Sequence, residues 1–304
     1  MLRSRYHVSI LSADQTELEA IDADLVIALH ARRSGKAVTA LKRRQPAVPV
    51  VLVLTGTDLY RDIRNNALAR KAMSAADALV VLQPAALQEL DRRMRDKTHV
   101  IYQSAPSLKP VPLDTRLRKR SFEVCMIGHL RQEKDPATFM KAATRLQVEG
   151  IRMTHIGGAT LDPALARLAI ATQQTCAAYR WLGNMPHTAT RQLLKRSHLM
   201  VISSKMEGGA NVIIEAVTSD VPVLASDIPG NRGMLGDDYA GYFAQGDPDG
   251  LARLIERCAC DRRFYERLLR QCRRRVPLFS PDREQTSLLC LMDNIVQYRS
   301  RRPG

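Results

Sequence analysis

The chain has 304 residues, enough for two domains of about 100–150 residues that each bury a core. Its formal net charge of +15 makes nucleic acid, a membrane surface or an anionic substrate the candidate partners. Aromatic residues make up only 5% of the chain, which excludes a stacking platform for single-stranded nucleic acid. Zinc-finger spacing and RNA-recognition signatures do not occur in the sequence either, so we expect no nucleic-acid partner.

The six cysteines are scattered along the chain, which predicts free thiols rather than a metal or redox site. We therefore expect no bound metal and no resident cofactor. No signal-peptide pattern is visible in the sequence, and no run of about 18 apolar residues could span a membrane. We expect a cytoplasmic protein, and the sequence leaves its oligomeric state open.

Strand and helix patterns alternate through residues 1–105. The predicted strands are Tyr6–Leu11, Asp24–Leu29, Val48–Leu54, Ala78–Leu82 and His99–Tyr102, and the predicted helices between them are Ala37–Arg44, Asn65–Met73 and Pro84–Met94. This alternation predicts a parallel sheet with helices on both faces. Ligands of such sheets bind beyond the carboxyl ends of the strands. The residues predicted there are His30–Ser34, Thr55–Asp62 and Gln83.

A second domain is predicted at residues 121–280, after a proline-rich linker at residues 106–120. The predicted strands are Phe122–Ile127, Ile151–Ile156 and Tyr179–Leu182, and the predicted helices are Pro136–Leu146, Pro163–Thr172 and Thr188–Arg196. The segment Ala252–Arg275 is predicted to be largely helical. A last helix follows Pro281. We expect the segment 281–304 to pack back on the N-terminal domain.

The segment Val201–Pro229 has the pattern strand, loop, helix, turn, strand. Gly208 and Gly209 allow the backbone to approach a ligand closely, and the N-terminus of the following helix suits a phosphate. Glu207 and Glu215 lie on either side of that N-terminus, where a carboxylate accepts hydrogen bonds from a vicinal diol. A ligand with phosphates between two sugars, a nucleotide-sugar, fits this pattern. Two glutamates eight positions apart also occur on solvated surfaces, so the assignment depends on the surrounding motif.

Arg131 and Lys134 follow the strand Phe122–Ile127 in a charged loop. Placed there, the two cations would clamp a diphosphate. The alternative is an ordinary solvated turn.

Together these motifs resemble the retaining GT-B glycosyltransferases that carry an E-x7-E motif. The resemblance covers residues 122–255 well. It implies an α/β fold of two Rossmann-like domains facing across a cleft, and a metal-independent, retaining transfer from a UDP-sugar. Glu207 would be the catalytic residue that binds the transferred sugar, and Glu215 would bind the ribose. The other donor-binding residues implied are Lys134, Arg131, His129, Gly157, Trp181, Leu182, Gly208, Gly209, Ala210 and Asn211.

A closer resemblance, across both domains, is to the selenosugar synthases of selenoneine biosynthesis. It rests on the segments His30–Ser34, Leu54–Asp62, His129–Pro136 and Ile228–Asn231. It implies UDP-N-acetylglucosamine as donor and selenophosphate as a small anionic acceptor. The acceptor-side residues would be His30, Arg32, Arg33, Thr55, Gly56, Thr57, Asp58 and Arg61. Thr55 stands where retaining GT-B enzymes often carry a histidine, and a selenium nucleophile that is already ionised would need no such base.

The family pattern opens with a strand and a glycine-rich loop, whereas this chain starts at what resembles the second strand. We therefore expect a βα unit of roughly 30 residues to be missing from the first domain. Two alternatives stay open. One is a glycosyltransferase for a cell-envelope or other small acceptor at an anionic membrane surface. The other is a non-catalytic protein that binds nucleotides or nucleic acid.

Overall fold

The computed structural model describes residues 1–12, 22–112, 115, 121–160 and 162–300, with no side chains described for residues 297–300. The chain divides into two compact units. The first contains Met1–Ser104, Glu207–Gly209 and Leu278–Gly304, and the second contains Ala105–Met206 and Ala210–Pro277. Residues 113–114 and 116–120 of the predicted linker and the last four residues lie outside the described residues.

The first unit contains a four-stranded, all-parallel sheet in the order β1-β2-β3-β4. Its strands are β1 (Val26–Leu29), β2 (Val50–Val53), β3 (Ala78–Val81) and β4 (Thr98–Val100). Its α-helices are α1 (Gly35–Arg44), α2 (Ala67–Ala75), the short α3 (Arg92–Arg95) and α11 (Pro281–Ser300). A π-helical turn, Asp58–Asp62, and a single α-turn, Ile63–Asn65, lie between β2 and α2.

Both faces of the first sheet are buried. Val50 and Leu52 of β2 pack into one cluster with residues of α1 and α2, such as Val38 and Met73. The intervening Val51 packs into a second cluster that contains Leu291 and Met292 of α11. The continuous apolar sequence of β2 therefore follows from a strand covered on both sides.

The second unit contains a six-stranded, all-parallel sheet in the order β10-β9-β8-β5-β6-β7. The strands are β5 (Phe122–Ile127), β6 (Ile151–Ile156), β7 (Tyr179–Trp181), β8 (Leu199–Ile202), β9 (Val223–Ser226) and β10 (Tyr242–Phe243). The chain moves outward from β5 to β7, then returns to the other side of β5 at β8. The sheet therefore has a topological switch point between β5 and β8, where open α/β sheets bind ligands.

The helices of the second unit connect these strands. They are α4 (Pro136–Ala143), α5 (Pro163–Thr175), α6 (His187–Arg196), α7 (Asn211–Thr218), α8 (Pro229–Leu235), α9 (Pro248–Cys260) and α10 (Arg262–Arg273). The predicted α/β class with parallel sheets is confirmed.

Two predicted elements were wrong. Residues 7–12 form no strand, and the preceding Tyr6 donates a hydrogen bond to Asp293 of α11 at 2.9 Å. The predicted helix Pro84–Met94 is a 3₁₀ segment, Pro84–Glu89, followed by α3, because the Asp91 side chain accepts from the Met94 N–H and starts a new helix. The segment Ala252–Arg275 is largely helical, as predicted, and consists of α9 and α10. Asp261 separates the two helices, because its carboxylate accepts from the Phe264 N–H and starts α10.

No helix within the described ranges is long and apolar enough to cross a membrane. Among the same residues there is no group of three His, Cys, Asp or Glu side chains arranged to hold a metal ion.

Candidate functional site

The loops after β5 and β8 meet at the switch point of the second sheet. The fully buried Ser203, which follows β8, donates its hydroxyl to the carbonyl oxygens of Lys134 at 3.1 Å and Asp135 at 2.9 Å. The Lys205 N–H donates to the Glu133 carbonyl at 2.8 Å. These bonds fix the charged loop predicted to clamp phosphates against the segment that leads to Glu207.

The N-terminus of α7 starts at this edge of the sheet. Ala210 precedes the helix and supplies no side-chain cap, and Asn211 is its exposed first residue. Ile213 and Ile214 are buried and anchor the helix on the sheet. The first turn of α7 therefore presents backbone N–H groups and a partial positive charge, which together favour an anion.

Of the two cations predicted for a diphosphate, Arg131 is the better defined. Its Nε is buried and makes no hydrogen bond with any residue that the structure describes. A buried guanidinium N–H without an acceptor is costly, so an anionic ligand at this position would be favoured. Lys134 is half-buried, and its aliphatic stem packs along Gly128.

His129 contacts the backbone of the turn after β6. Its exposed ring accepts a hydrogen bond at Nδ1 from the Gly158 N–H at 3.1 Å. A ring nitrogen that accepts carries no proton, so Nδ1 is occupied by this contact with the backbone. Arg131 and Lys134 therefore remain the two cations predicted to bind the diphosphate.

Gly157 holds the ends of β5 and β6 together. A Cβ at this position would lie 1.9 Å from the Gly128 carbonyl oxygen, so only glycine fits. The Gly157 carbonyl accepts from the Trp181 indole Nε1 at 2.9 Å, and its N–H donates to the Gly183 carbonyl at 2.8 Å. The Leu182 N–H donates to the His155 carbonyl at 2.9 Å. The predicted donor residues Gly157, Trp181 and Leu182 thus lie in one bonded cluster.

Replacing Gly157 with alanine should separate the ends of β5 and β6. We expect the free energy of unfolding to fall by about 2 kcal/mol or more, measured by urea denaturation, and UDP binding to weaken. Gly246 is the matched control because it has a φ of +73° and open space around its Cα. Gly246→Ala should cost about 1 kcal/mol from backbone strain alone and leave UDP binding unchanged. Equal effects of the two variants would contradict this account of Gly157.

His155 supports the same edge from inside the sheet. The ring is fully buried, with Nε2 3.0 Å from the Gly128 carbonyl and Nδ1 3.1 Å from the Tyr179 hydroxyl. Burial lowers the pKa of His155 to about 4. The ring is therefore neutral, with the Nε2 proton donated to Gly128 and Nδ1 accepting from Tyr179.

The lowered pKa predicts a loss of stability in mild acid. Between pH 6.5 and about 4 the unfolded chain protonates His155 and the folded chain does not, so the free energy of unfolding falls as the pH falls. The expected contribution is roughly 3 kcal/mol. His155→Gln should flatten this part of the curve, compared as urea midpoints from pH 7 to 4. An unchanged slope in the variant would show that His155 does not contribute to it.

Glu215 has a partner that the sequence did not suggest. Its side chain is 12% exposed, and Oε1 lies 2.6 Å from Nε2 of His187, the first residue of α6. The two residues are 28 positions apart and follow no recognisable spacing. Sequence reasoning therefore identified the carboxylate and missed the histidine.

The segment Glu207–Gly209 belongs to the first unit. Glu207 is 8% exposed. A Cβ on Gly208 would lie 2.5 Å from the Thr55 carbonyl carbon, and a Cβ on Gly56 would lie 2.8 Å from the Gly208 nitrogen. The two predicted glycines therefore allow backbone-to-backbone contact at the carboxyl end of β2, and any side chain at either position would disturb Glu207.

Around the carboxyl ends of β1 and β2, Asp58 organises the predicted acceptor residues. It is fully buried, and its carboxylate accepts from the Ala31 N–H at 2.9 Å, the Thr55 N–H at 2.8 Å and the Thr55 hydroxyl at 2.7 Å. His30, with a φ of +69°, lies 3.0 Å through Nε2 from the Thr57 hydroxyl. The carboxylate of Asp58 is thus committed to holding the two loops together.

Two of the three predicted acceptor-side arginines converge on one carboxylate, which sequence reasoning did not single out. The buried Asp62 lies 2.9 Å from Nε of Arg32 and 3.2 Å from Nε of Arg61. Both arginine side chains are close to half exposed, at 46% and 45%. Arg33 is exposed and forms no hydrogen bond or ion pair with the described residues. The first unit therefore presents two positioned guanidinium groups to solvent.

Comparison with known proteins identifies a family. The family model "Glycosyl transferases group 1" matches residues 114–275, more than half of the chain. Glycosyltransferase 1 domain-containing protein 1 of Xenopus tropicalis is 23% identical over 289 residues, which is 88% of this chain and 81% of that protein. The UDP-Gal:alpha-D-GlcNAc-diphosphoundecaprenol alpha-1,3-galactosyltransferase of Escherichia coli is 23% identical over 168 residues, 53% of this chain and 42% of the relative.

Solved structures with the same fold include glycosyltransferases. The sucrose-phosphate synthase of Thermosynechococcus elongatus aligns with a TM-score of 0.75 at 19% identity, covering 90% of this chain and 74% of the other. HepE of Anabaena, in complex with UDP-glucose, aligns with a TM-score of 0.71 at 18% identity, covering 89% and 79%. These alignments show the GT-B fold in this chain.

Proposed function

The chain belongs to the glycosyl transferases group 1. From that membership and the geometry of its site, we propose that it transfers a hexosamine from a UDP-sugar to a small anion of the selenophosphate type. UDP-N-acetylglucosamine is the proposed donor and selenophosphate the proposed acceptor. The transfer is proposed to be metal-independent and to retain the anomeric configuration.

The second unit supports the donor half of the proposal. The first turn of α7 offers backbone N–H groups to phosphate, and the buried Nε of Arg131 lacks an acceptor among the described residues. In the proposal, these groups and Lys134 bind the diphosphate. Glu215 then binds the ribose hydroxyls, and Trp181 and Leu182 lie beside the base. HepE, a protein of the same fold, has been crystallised with UDP-glucose.

The acceptor half rests on one observation, the convergence of Arg32 and Arg61 on the buried Asp62. The shared carboxylate holds two cations close together that would otherwise repel each other. Their exposed guanidinium groups suit a small multiply charged oxyanion, because guanidinium forms bidentate bonds with such groups.

The chemistry requires little of the protein beyond binding. The ionised selenium atom bonds to C1 of the sugar while the bond from C1 to the UDP oxygen breaks, and UDP leaves with the electron pair. Water then cleaves the bond between selenium and phosphorus, which releases phosphate and leaves the selenosugar. Thr55 at the end of β2 cannot act as a proton acceptor at neutral pH, which agrees with a nucleophile that carries no proton to remove.

A second candidate is supported by one comparison. The name of the Escherichia coli relative gives its acceptor as a sugar linked to diphosphoundecaprenol, which is a lipid carrier. We therefore keep transfer to a lipid-linked cell-envelope sugar as the alternative. A non-catalytic nucleotide-binding protein is the third reading, and it predicts UDP binding without turnover.

Mass spectrometry of acceptor mixtures tests the proposal. The purified chain is incubated with UDP-N-acetylglucosamine and selenophosphate, thiophosphate, phosphate or a lipid-linked sugar. We expect a selenium-bearing hexosamine and one UDP per selenosugar. Asp62→Asn should reduce product formation with selenophosphate, whereas Arg64→Ala should not, since Arg64 is an exposed partner of Glu89. Product from the lipid-linked sugar alone would support the alternative, and UDP binding without any product would support the non-catalytic reading.

A further inference from the structure

The contact between His187 and Glu215 assigns a role to a histidine that no motif marks. Glu215 is the carboxylate proposed to bind the ribose, so this inference rests on the proposed function. Its side chain is largely buried, and its one hydrogen bond or ion pair with a described side chain joins Oε1 to Nε2 of His187 at 2.6 Å. A carboxylate oxygen that accepts from the imidazole is held in orientation, and the second oxygen is left to accept from a ligand hydroxyl.

The position of His187 is fixed by the same turn that supports the predicted base-binding residues. The turn begins at β7, where the Trp181 indole donates to the Gly157 carbonyl. Gly183, with a φ of +68°, accepts from the Gly157 N–H. Pro186 precedes α6, and its carbonyl accepts from both the N–H and the hydroxyl of Thr190. His187 therefore starts a helix whose first turn is well anchored.

The pair connects two parts of the second unit that sequence reasoning treated separately. The turn after β7 is proposed to lie beside the base, and α7 is proposed to carry the ribose ligand. His187 links the first to the second. We propose that His187 is a positioning residue that holds Glu215 for the ribose hydroxyls of the donor and thereby contributes to selectivity for a ribonucleotide.

A purely structural ion pair would behave differently. His187 is 72% exposed, and exposed ion pairs contribute little to stability. Its removal would then leave nucleotide affinity unchanged. In the positioning role, its removal frees the Glu215 carboxylate to rotate, and the loss of affinity depends on whether the nucleotide carries the ribose hydroxyls.

Binding measurements with two nucleotides distinguish these cases. The dissociation constants of UDP and of 2′,3′-dideoxy-UDP are measured by calorimetry for the wild type, His187→Ala and His187→Gln. We expect His187→Ala to weaken UDP binding about tenfold, the effect of one lost hydrogen-bonded contact, and to change dideoxy-UDP binding less than about threefold. His187→Gln, which retains an N–H donor, should recover most of the UDP affinity. The neighbouring exposed Thr188→Ala serves as the control.

Steady-state kinetics give a second readout. His187→Ala should raise KM for the UDP-sugar with little change in kcat, as expected for an interaction made equally in the ground and transition states. Equal weakening of both nucleotides, or unchanged UDP affinity in His187→Ala, would overturn the role of His187 alone. Failure of the wild type to bind UDP would instead overturn the proposed function.

Discussion

Replacing Glu207 with glutamine is expected to lower kcat/KM for sugar transfer by about a hundred- to a thousand-fold. Glu207 is 8% exposed and is followed by glycines whose backbone contacts leave no room for a side chain. In the proposed site its carboxylate accepts hydrogen bonds from hydroxyls of the transferred sugar. An amide of the same shape loses the charge and part of the accepting capacity, so the transition state is bound less well than in the wild type.

The measurement is the initial rate of UDP release at several donor concentrations. Glu149→Gln is the matched control, because Glu149 is an exposed glutamate of the second unit outside the proposed site. UDP affinity should change little in Glu207→Gln, since the proposed contacts are with the sugar. A Glu207→Gln or Glu207→Ala protein that transfers at the full rate would refute the assignment.

Replacing Lys134 with alanine is expected to lower kcat/KM for sugar transfer by about a hundred-fold. Its stem lies beside Gly128, just beyond the end of β5, and its carbonyl accepts from the hydroxyl of Ser203, just beyond the end of β8. In the proposal the ammonium charge of Lys134 neutralises the diphosphate, and the stabilisation grows as the bond to the sugar breaks and negative charge builds up on UDP.

The readout is the pair of constants kcat and KM for the UDP-sugar, together with the affinity for UDP and uridine. Lys134→Ala should weaken UDP strongly and uridine, which has no phosphate, very little. Lys141→Ala on the exposed face of α4 is the control. Equal weakening of UDP and uridine would argue that Lys134 acts on the structure of the loop and not on phosphate.

The buried strands were predictable because both faces of each sheet are covered. In β2 and β8 every residue or nearly every residue is buried, which requires a continuous apolar run that the sequence shows directly. The boundary between α9 and α10 was not predicted, because Asp261 is one of many polar residues in this segment. Only the structure shows that its carboxylate accepts from the Phe264 N–H and so starts a new helix.

Other elements depend on contacts that no local pattern reveals. Helix α8 contains two glycines and was not predicted, yet its final carbonyls, Gly233 and Met234, accept from the guanidinium of Arg275 some 40 residues later. Tyr6 is of a residue type that favours strands, but its hydroxyl donates a hydrogen bond to Asp293 of α11. Tertiary contacts of this kind override local propensity.

The residues of the candidate site also differ in whether a local sequence pattern or a tertiary contact determines their role. Glu207, Glu215 and the glycines between them form a contiguous motif, so they were accessible to sequence reasoning. The roles of Asp62 and His187 could not be predicted in this way. Asp62 acts through an ion pair with Arg32, 30 positions earlier, and His187 acts through Glu215, 28 positions later. Residues that orient a predicted ligand-binding group carry no motif of their own.

A crystal structure of the chain with bound UDP would show where the nucleotide lies. We predict the diphosphate at the first turn of α7 with Arg131 and Lys134 in contact, and a ribose hydroxyl within about 3.2 Å of the Glu215 carboxylate. UDP bound away from this edge of the second sheet, or with its ribose turned from Glu215, would contradict the account.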